Sequence, residues 1–239
     1  MIEYVHRPSK DEFFSKSSGR SKPIVIRSGM ENWAAVSSWS IDSFRLRFGH
    51  VIVRAAYSND GIFRGDPEKG FKDSIEPIQL NRFLDIITGR LHSTRKYYLQ
   101  QLPLVGELLE LHNDIEVPEY IEPRSLKAIN LWFGPGGNVS PLHFDHANNF
   151  LCQVSGTKRL VLFPPQQTDL VYPFPNTSRI PHMAQVDIER PDYDKFPRFA
   201  HATPLEAIVH SGDMIFLPTG WWHQVYSMST SMSVNFWWL

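Results

Sequence analysis

The sequence predicts a mainly β protein, with a β-sandwich or barrel over residues 125–239 and an α/β portion over residues 1–124 packed on it as one domain. Three observations predict this. From Ser125 onward, short apolar runs recur at 128–133, 149–154, 159–163, 205–209, 213–217 and 232–238. Gly, Pro or Asn bounds them, which is the pattern of short strands joined by turns. Before 125, strand-like and helix-like stretches alternate. With 42% hydrophobic and 21% charged residues over 239 positions, there is material for a core and disorder is excluded.

Residues 23–27 (PIVIR) read as a strand ended by Ser28-Gly29. Residues 40–48 read as a helix, with Ser40 or Asp42 as cap and Gly49 as its end. Strand character returns at 51–56. A second helix is predicted over 77–88, because Leu80, Phe83, Leu84 and Ile87 recur at i, i+3, i+4 and i+7 and Gly89 follows. That apolar stripe reads as core. Between the strands at 159–163 and 205–209 lies an insertion over 164–204 rich in proline, with the length of a lid or substrate wall.

Charge and cysteine usage exclude several classes. Twenty-four basic residues against 25 acidic ones give a net charge of -1, with no block of like charge to hold nucleic acid or a membrane surface. The single cysteine, Cys152, excludes an intrachain disulfide framework and sits in a strand-like run as a buried thiol. No apolar stretch is long enough to span a bilayer, and the N-terminus lacks the basic-then-apolar order of a signal peptide. A cytoplasmic protein is the expectation.

The chemistry concentrates in a split motif. Pro141-Leu142-His143-Phe144-Asp145 is followed far downstream by Gly220-Trp221-Trp222-His223. On a strand, His143 and Asp145 share a face. His223 follows the run 213–217 and a Pro-Thr-Gly turn, which would bring it beside them in a barrel. Two histidines and a carboxylate on one face of an ion form the ligand set of the non-haem Fe(II) oxygenases, and zinc is a possible occupant of the same ligands. The remaining histidines read as structural or exposed. Lys158 follows the turn Ser155-Gly156-Thr157; such a lysine is ordinarily solvated, and its alternative is to point into the barrel as an anchor for a carboxylate.

Several stretches together resemble the Jumonji-C (cupin-like) oxygenases: residues 130–145 (NLWFGPGGNVSPLHFD), Gly156-Thr157-Lys158-Arg159, Leu162-Phe163-Pro164-Pro165, and Val234-Asn235-Phe236-Trp237-Trp238. The resemblance is dense over residues 95–239 and weaker before, and its nearest subgroups are the small asparaginyl and arginyl protein hydroxylases. It implies a double-stranded β-helix of the cupin or jelly-roll type. It also implies Fe(II) held by His143, Asp145 and His223, with O2 and 2-oxoglutarate as cosubstrates. By the same resemblance Lys158, Ser140 and Tyr98 hold the distal carboxylate of 2-oxoglutarate, and Asn149 and Asn235 lie near the bound cosubstrate. The reaction implied is hydroxylation of an unactivated C–H, with release of succinate and CO2.

The substrate is less clearly written. Met183 stands near the place where asparaginyl hydroxylases carry a glutamine, and Arg54 stands where arginyl hydroxylases carry an acid. Trp237 is a third candidate for the substrate pocket. A protein or peptide side chain is the leading substrate expectation and a small molecule the alternative, ahead of histone demethylation and a non-oxidative cupin. The chain stops at Leu239, directly after the last predicted strand, so a monomer or a dimer formed through the N-terminal portion is expected.

Overall fold

The computed structural model describes residues 1–239. In chain order the N-terminal portion contains β1 (Glu3–His6), α1 (Lys10–Lys16), β2 (Ile24–Arg27), α2 (Ala34–Ser38), α3 (Ile41–Phe48), β3 (Ile52–Ser58), β4 (Ile75–Gln79), α4 (Leu80–Ile87) and β5 (Lys96–Pro103). Eight strands follow: β6 (Leu126–Gly134), β7 (Val139–Phe144), β8 (Asn148–Ser155), β9 (Thr157–Phe163), β10 (Leu205–His210), β11 (Met214–Leu217), β12 (Trp222–Ser227) and β13 (Ser231–Trp238). These eight divide into two antiparallel layers, β11-β8-β13-β6 and β10-β9-β12-β7. The chain passes back and forth between the layers, which is the double-stranded β-helix that the resemblance implies.

The N-terminal strands lengthen the larger layer at both edges. β2 pairs antiparallel with β11, and β1 pairs parallel with β2. At the other edge β5 pairs with β6, followed by β3 and β4, giving nine strands.

Alternation along each strand separates two environments. Phe150, Cys152 and Val154 of β8 and Val234, Phe236 and Trp238 of β13 face outward, into a core of 36 buried residues shared with the N-terminal helices. This is the main core: the apolar cluster between the layers contains only 10, among them Leu151, Leu160, Leu162 and Ile215. Phe150 stacks on Trp238 with ring centroids 5.0 Å apart. On the far side, Leu142, Val161, Phe163 and Trp222 of the smaller layer pack against Val171, Val186, Phe196 and Phe199 of the insertion. Cys152 is fully buried, and burial pushes its thiol pKa up, as expected of an inert core thiol.

Local signals explain most elements. Ser40 caps α3 in a reciprocal capping box with Ser43. Gly89, just past α4, has φ +74°, the left-handed conformation that ends a helix most cheaply in glycine. The helix predicted over 77–88 is shorter than expected. Residues 75–79 instead form β4, the outermost strand of the sheet, where Pro77 can sit without removing a needed hydrogen bond. The insertion contains two short 3₁₀ turns, Pro165–Leu170 and Pro197–His201. Its residues 182–184 run beside the open edge of β7: the Phe144 N–H donates to the His182 carbonyl at 3.0 Å, and the Ala184 N–H donates to the Leu142 carbonyl at 2.9 Å. No helix is long and apolar enough to cross a membrane.

Candidate metal centre

His143 lies on β7, Asp145 one residue beyond its end, and His223 on β12 directly opposite His143. The imidazole centroids are 4.3 Å apart, and one ligand atom from each of the three residues falls within 4.8 Å of the others. His143 Nδ1 faces the Pro141 carbonyl at 2.7 Å, and His223 Nδ1 faces the Trp221 carbonyl at 2.9 Å. A carbonyl only accepts, so each Nδ1 carries a proton and Nε2 is the nitrogen each ring can offer to an ion. Burial first, and the neighbouring His223 ring second, lower the His143 pKa to about 4, so this imidazole is neutral at physiological pH. Two imidazoles and a carboxylate fit a divalent metal with open positions on its remaining face.

The carboxylate is held from behind. Asp145 Oδ2 accepts from Asn149 Nδ2 at 3.0 Å and from Trp237 Nε1 at 3.0 Å. Asn235 Nδ2 in turn donates to Asn149 Oδ1 at 3.1 Å, and Asn235 Oδ1 accepts from Trp132 Nε1 at 2.9 Å and Asn130 Nδ2 at 3.1 Å. Partners of this kind orient metal ligands and tune their affinity.

At the other end of the pocket lies Lys158, 1% exposed. Its ammonium donates to the Tyr98 hydroxyl at 3.2 Å, and no carboxylate pairs with it. Desolvation alone lowers its pKa to about 7. A buried cation without a counter-ion is costly unless an anion joins it, so this lysine fits a bound carboxylate. Tyr98 arrives from β5, and Gly134 lets it come close: a Cβ there would lie 2.6 Å from its ring. Ser140 lines the same pocket, as do the apolar side chains of Leu151, Leu217 and Val225.

Ser140 and His143 are three residues apart, so a regular strand would point them in opposite directions. The register of β7 against β12 shifts between His223 and Val225, where Pro141 and Leu142 together oppose Gln224 alone. This β-bulge inserts one residue and turns both side chains inward.

The structure thus brings Tyr98, Ser140, His143, Asp145, Asn149, Lys158, His223, Asn235 and Trp237 into one pocket. Two of the three substrate-pocket candidates lie elsewhere. Arg54 is exposed on β3 and lies outside the pocket, because that strand has already left the barrel. Met183 is buried beside the His143 backbone but lines a separate cavity of about 400 Å³ outside the smaller layer. Trp237 meets Asp145 as well as lining the pocket. The network partners Asn130 and Trp132 were not anticipated; they share the inward face of β6 across from Asn235, so strand pairing was the missing signal.

Fold and site together define a class. The chain belongs to the cupin-like domain family, whose model matches residues 10–239, in line with the Jumonji-C resemblance. It is 36% identical over 248 residues to "Lysine-specific demethylase 8" of Danio rerio, covering 99% of this chain and 58% of that protein. It is 32% identical over 243 residues to the Xenopus tropicalis protein of the same name, covering 99% of this chain and 52% of that protein. It is also 28% identical over 265 residues to the human "Bifunctional peptidase and (3S)-lysyl hydroxylase JMJD7", covering 99% and 83%. The chain therefore spans little more than half the length of the two demethylase relatives.

Proposed function

We propose that this chain is an Fe(II)- and 2-oxoglutarate-dependent oxygenase that hydroxylates a C–H bond on a protein or peptide side chain. The observation that carries the proposal is Lys158, buried without an acid at the end of the pocket away from the His143, Asp145 and His223 cluster. The two ends suit a dicarboxylate that reaches from a metal to a fixed cation. Iron, 2-oxoglutarate and O2 bound there would supply the oxidising power, with succinate and CO2 as coproducts.

The protein's part is binding and orientation. His143, His223 and Asp145 present three ligand atoms. Lys158 and Tyr98 take the distal carboxylate, with Ser140 as a further hydroxyl in the pocket. Asn149 and Trp237 donate to Asp145 Oδ2 and so fix the carboxylate beside His223. Leu151, Leu217 and Val225 keep water from the cavity. Because Tyr98 comes from the N-terminal portion and the ligands from the barrel, we propose that residues 1–239 act as one catalytic unit.

The names of the two demethylase relatives favour a second reading, oxidation of an N-methyl group on lysine. Both readings share the site and differ only in the carbon presented to it. Incubating the protein with Fe(II), 2-oxoglutarate and peptides tests them together. Gain of one oxygen supports the hydroxylase, and loss of a methyl group from methyl-lysine supports the demethylase. Absence of succinate under all conditions, with metal content unchanged by His143→Ala, would falsify the oxygenase reading.

A further inference from the structure

A cavity of about 690 Å³ lies outside the barrel and includes none of the candidate metal-site residues. Its walls locate it. Asn148 opens β8, Pro164 follows β9, Leu205 opens β10, and Pro218 and Thr219 follow β11. Because paired strands run antiparallel, all these positions fall at one end of the barrel. That is the end where β7 delivers His143 and Asp145 and where β12 begins with Trp222 and His223.

The rim is tied to the metal centre. The Gly220 N–H donates to the Asp145 carbonyl at 3.0 Å. Trp221, which lines the cavity, donates its indole N–H to the Ser21 carbonyl at 2.9 Å. Asn148 lines the cavity and the next residue, Asn149, lines the metal pocket.

The opposite wall is cationic. Lys16, Arg20 and Lys22 line it against a single acid, Glu3, which Lys16 already engages at 2.7 Å. Arg20 has φ +68°, a left-handed conformation uncommon outside glycine and asparagine. Its guanidinium is anchored to the Tyr120 carbonyl at 3.2 Å, while its Nε is buried with no acceptor. That anchor fixes the guanidinium at the cavity wall.

We propose that this cavity is a docking subsite for an acidic segment of a protein substrate, seated on Arg20 and Lys22 while the side chain to be oxidised enters the barrel. The inference rests on the oxygenase reading and adds a substrate class to it. Length favours a chain over a small molecule, since the ligand must fill this cavity and reach past Asn148 into the pocket. Local charge favours a few carboxylates over nucleic acid, which needs a longer basic track than this chain of net charge -1 offers.

Fluorescein-labelled hexaglutamate, followed by anisotropy on the metal-free protein, tests it without reference to turnover. Binding is expected to weaken about tenfold in Lys22→Glu and in Arg20→Gln, and to weaken with salt. Lys22 is exposed, so its variant keeps the fold even if the Arg20 variant does not. No binding by the unaltered protein, equal binding by Lys22→Glu, or equally tight binding of a six-nucleotide oligothymidylate would overturn the proposal. Succinate formation by the unaltered protein reports separately on the oxygenase reading, so the two failures are distinguishable.

Discussion

Lys158 and Arg159 are neighbours on β9 and both are cations, yet they experience different solvents. Arg159 faces outward, where it donates two hydrogen bonds to Glu206 at 2.9 and 3.1 Å and lies over the Tyr226 ring; the hydrogen bond to Glu206 raises its pKa. Lys158 faces inward and meets a tyrosine hydroxyl but no acid. The same inversion recurs at Asn149 and Phe150 on β8 and at Asn235 and Phe236 on β13: polar groups inside, large rings outside. The outer face of the larger layer carries most of the packing energy, and the inner face carries a hydrogen-bonded polar network and a buried lysine without a counter-ion. Stability and function are separated by a half-turn of the strand.

The largest test of that separation is Phe150→Ala. It removes a ring packed on Phe13, Phe216 and Trp238 and should cost about 3–5 kcal/mol in urea unfolding. A loss below about 1 kcal/mol would place the main core elsewhere.

Lys158→Met comes next and should act in the opposite sense. The affinity for 2-oxoglutarate in calorimetry should fall by about 100-fold or more, since the ligand carboxylate loses its buried partner. The ligand-free protein should be equally or more stable, because an uncompensated buried cation has gone. A pH series sharpens this. The pKa of Lys158 falls from an ordinary 10.5 to about 7 in the fold, so between those values the unfolded chain binds more protons than the native one. Native stability should therefore rise with pH across that window. Affinity for 2-oxoglutarate, which needs the ammonium, should fall over the same window, and Lys158→Met should flatten both trends.

Trp237→Phe keeps the ring but removes one of the two donors to Asp145 Oδ2. Metal affinity should drop about 10–100-fold, read by competition with a chelating dye, with little change in urea unfolding. An unchanged affinity would mean that Asn149 alone sets the carboxylate. The smallest effect belongs to Arg159→Ala, about 0.2–1 kcal/mol in stability and none on 2-oxoglutarate binding. A large effect there would break the contrast between the two faces.

Six of the eight strands from β6 onward were legible because apolar runs and turn residues alternate, whereas β7 and β12 fall outside those runs. The clustering of His143 and Asp145 was legible because residues two apart on a strand share a face. Lys158 was not: on local pattern it is one more lysine after a turn, and its burial follows from β10, β12 and Tyr98 closing around it. Ser140 was misleading by parity until the bulge at Pro141 and Leu142 corrected it. β5 went unread because its polar residues obscure a strand that bends between Leu99 and Leu102. Arg54 lies outside the pocket, and a strand's place in the fold is invisible to its own composition. The rim cavity was unreadable for the same reason, since segments scattered along the whole chain build it.

The pairing of residues 182–184 with β7 has a mechanical consequence. The strand that carries His143 is clamped on one side by β12 and on the other by the insertion. The insertion cannot peel away without breaking the Phe144 and Ala184 amide hydrogen bonds, so its opening would free the edge of the strand that carries His143. Amide exchange at Phe144 should report that opening, slowing when anything seats the insertion more firmly.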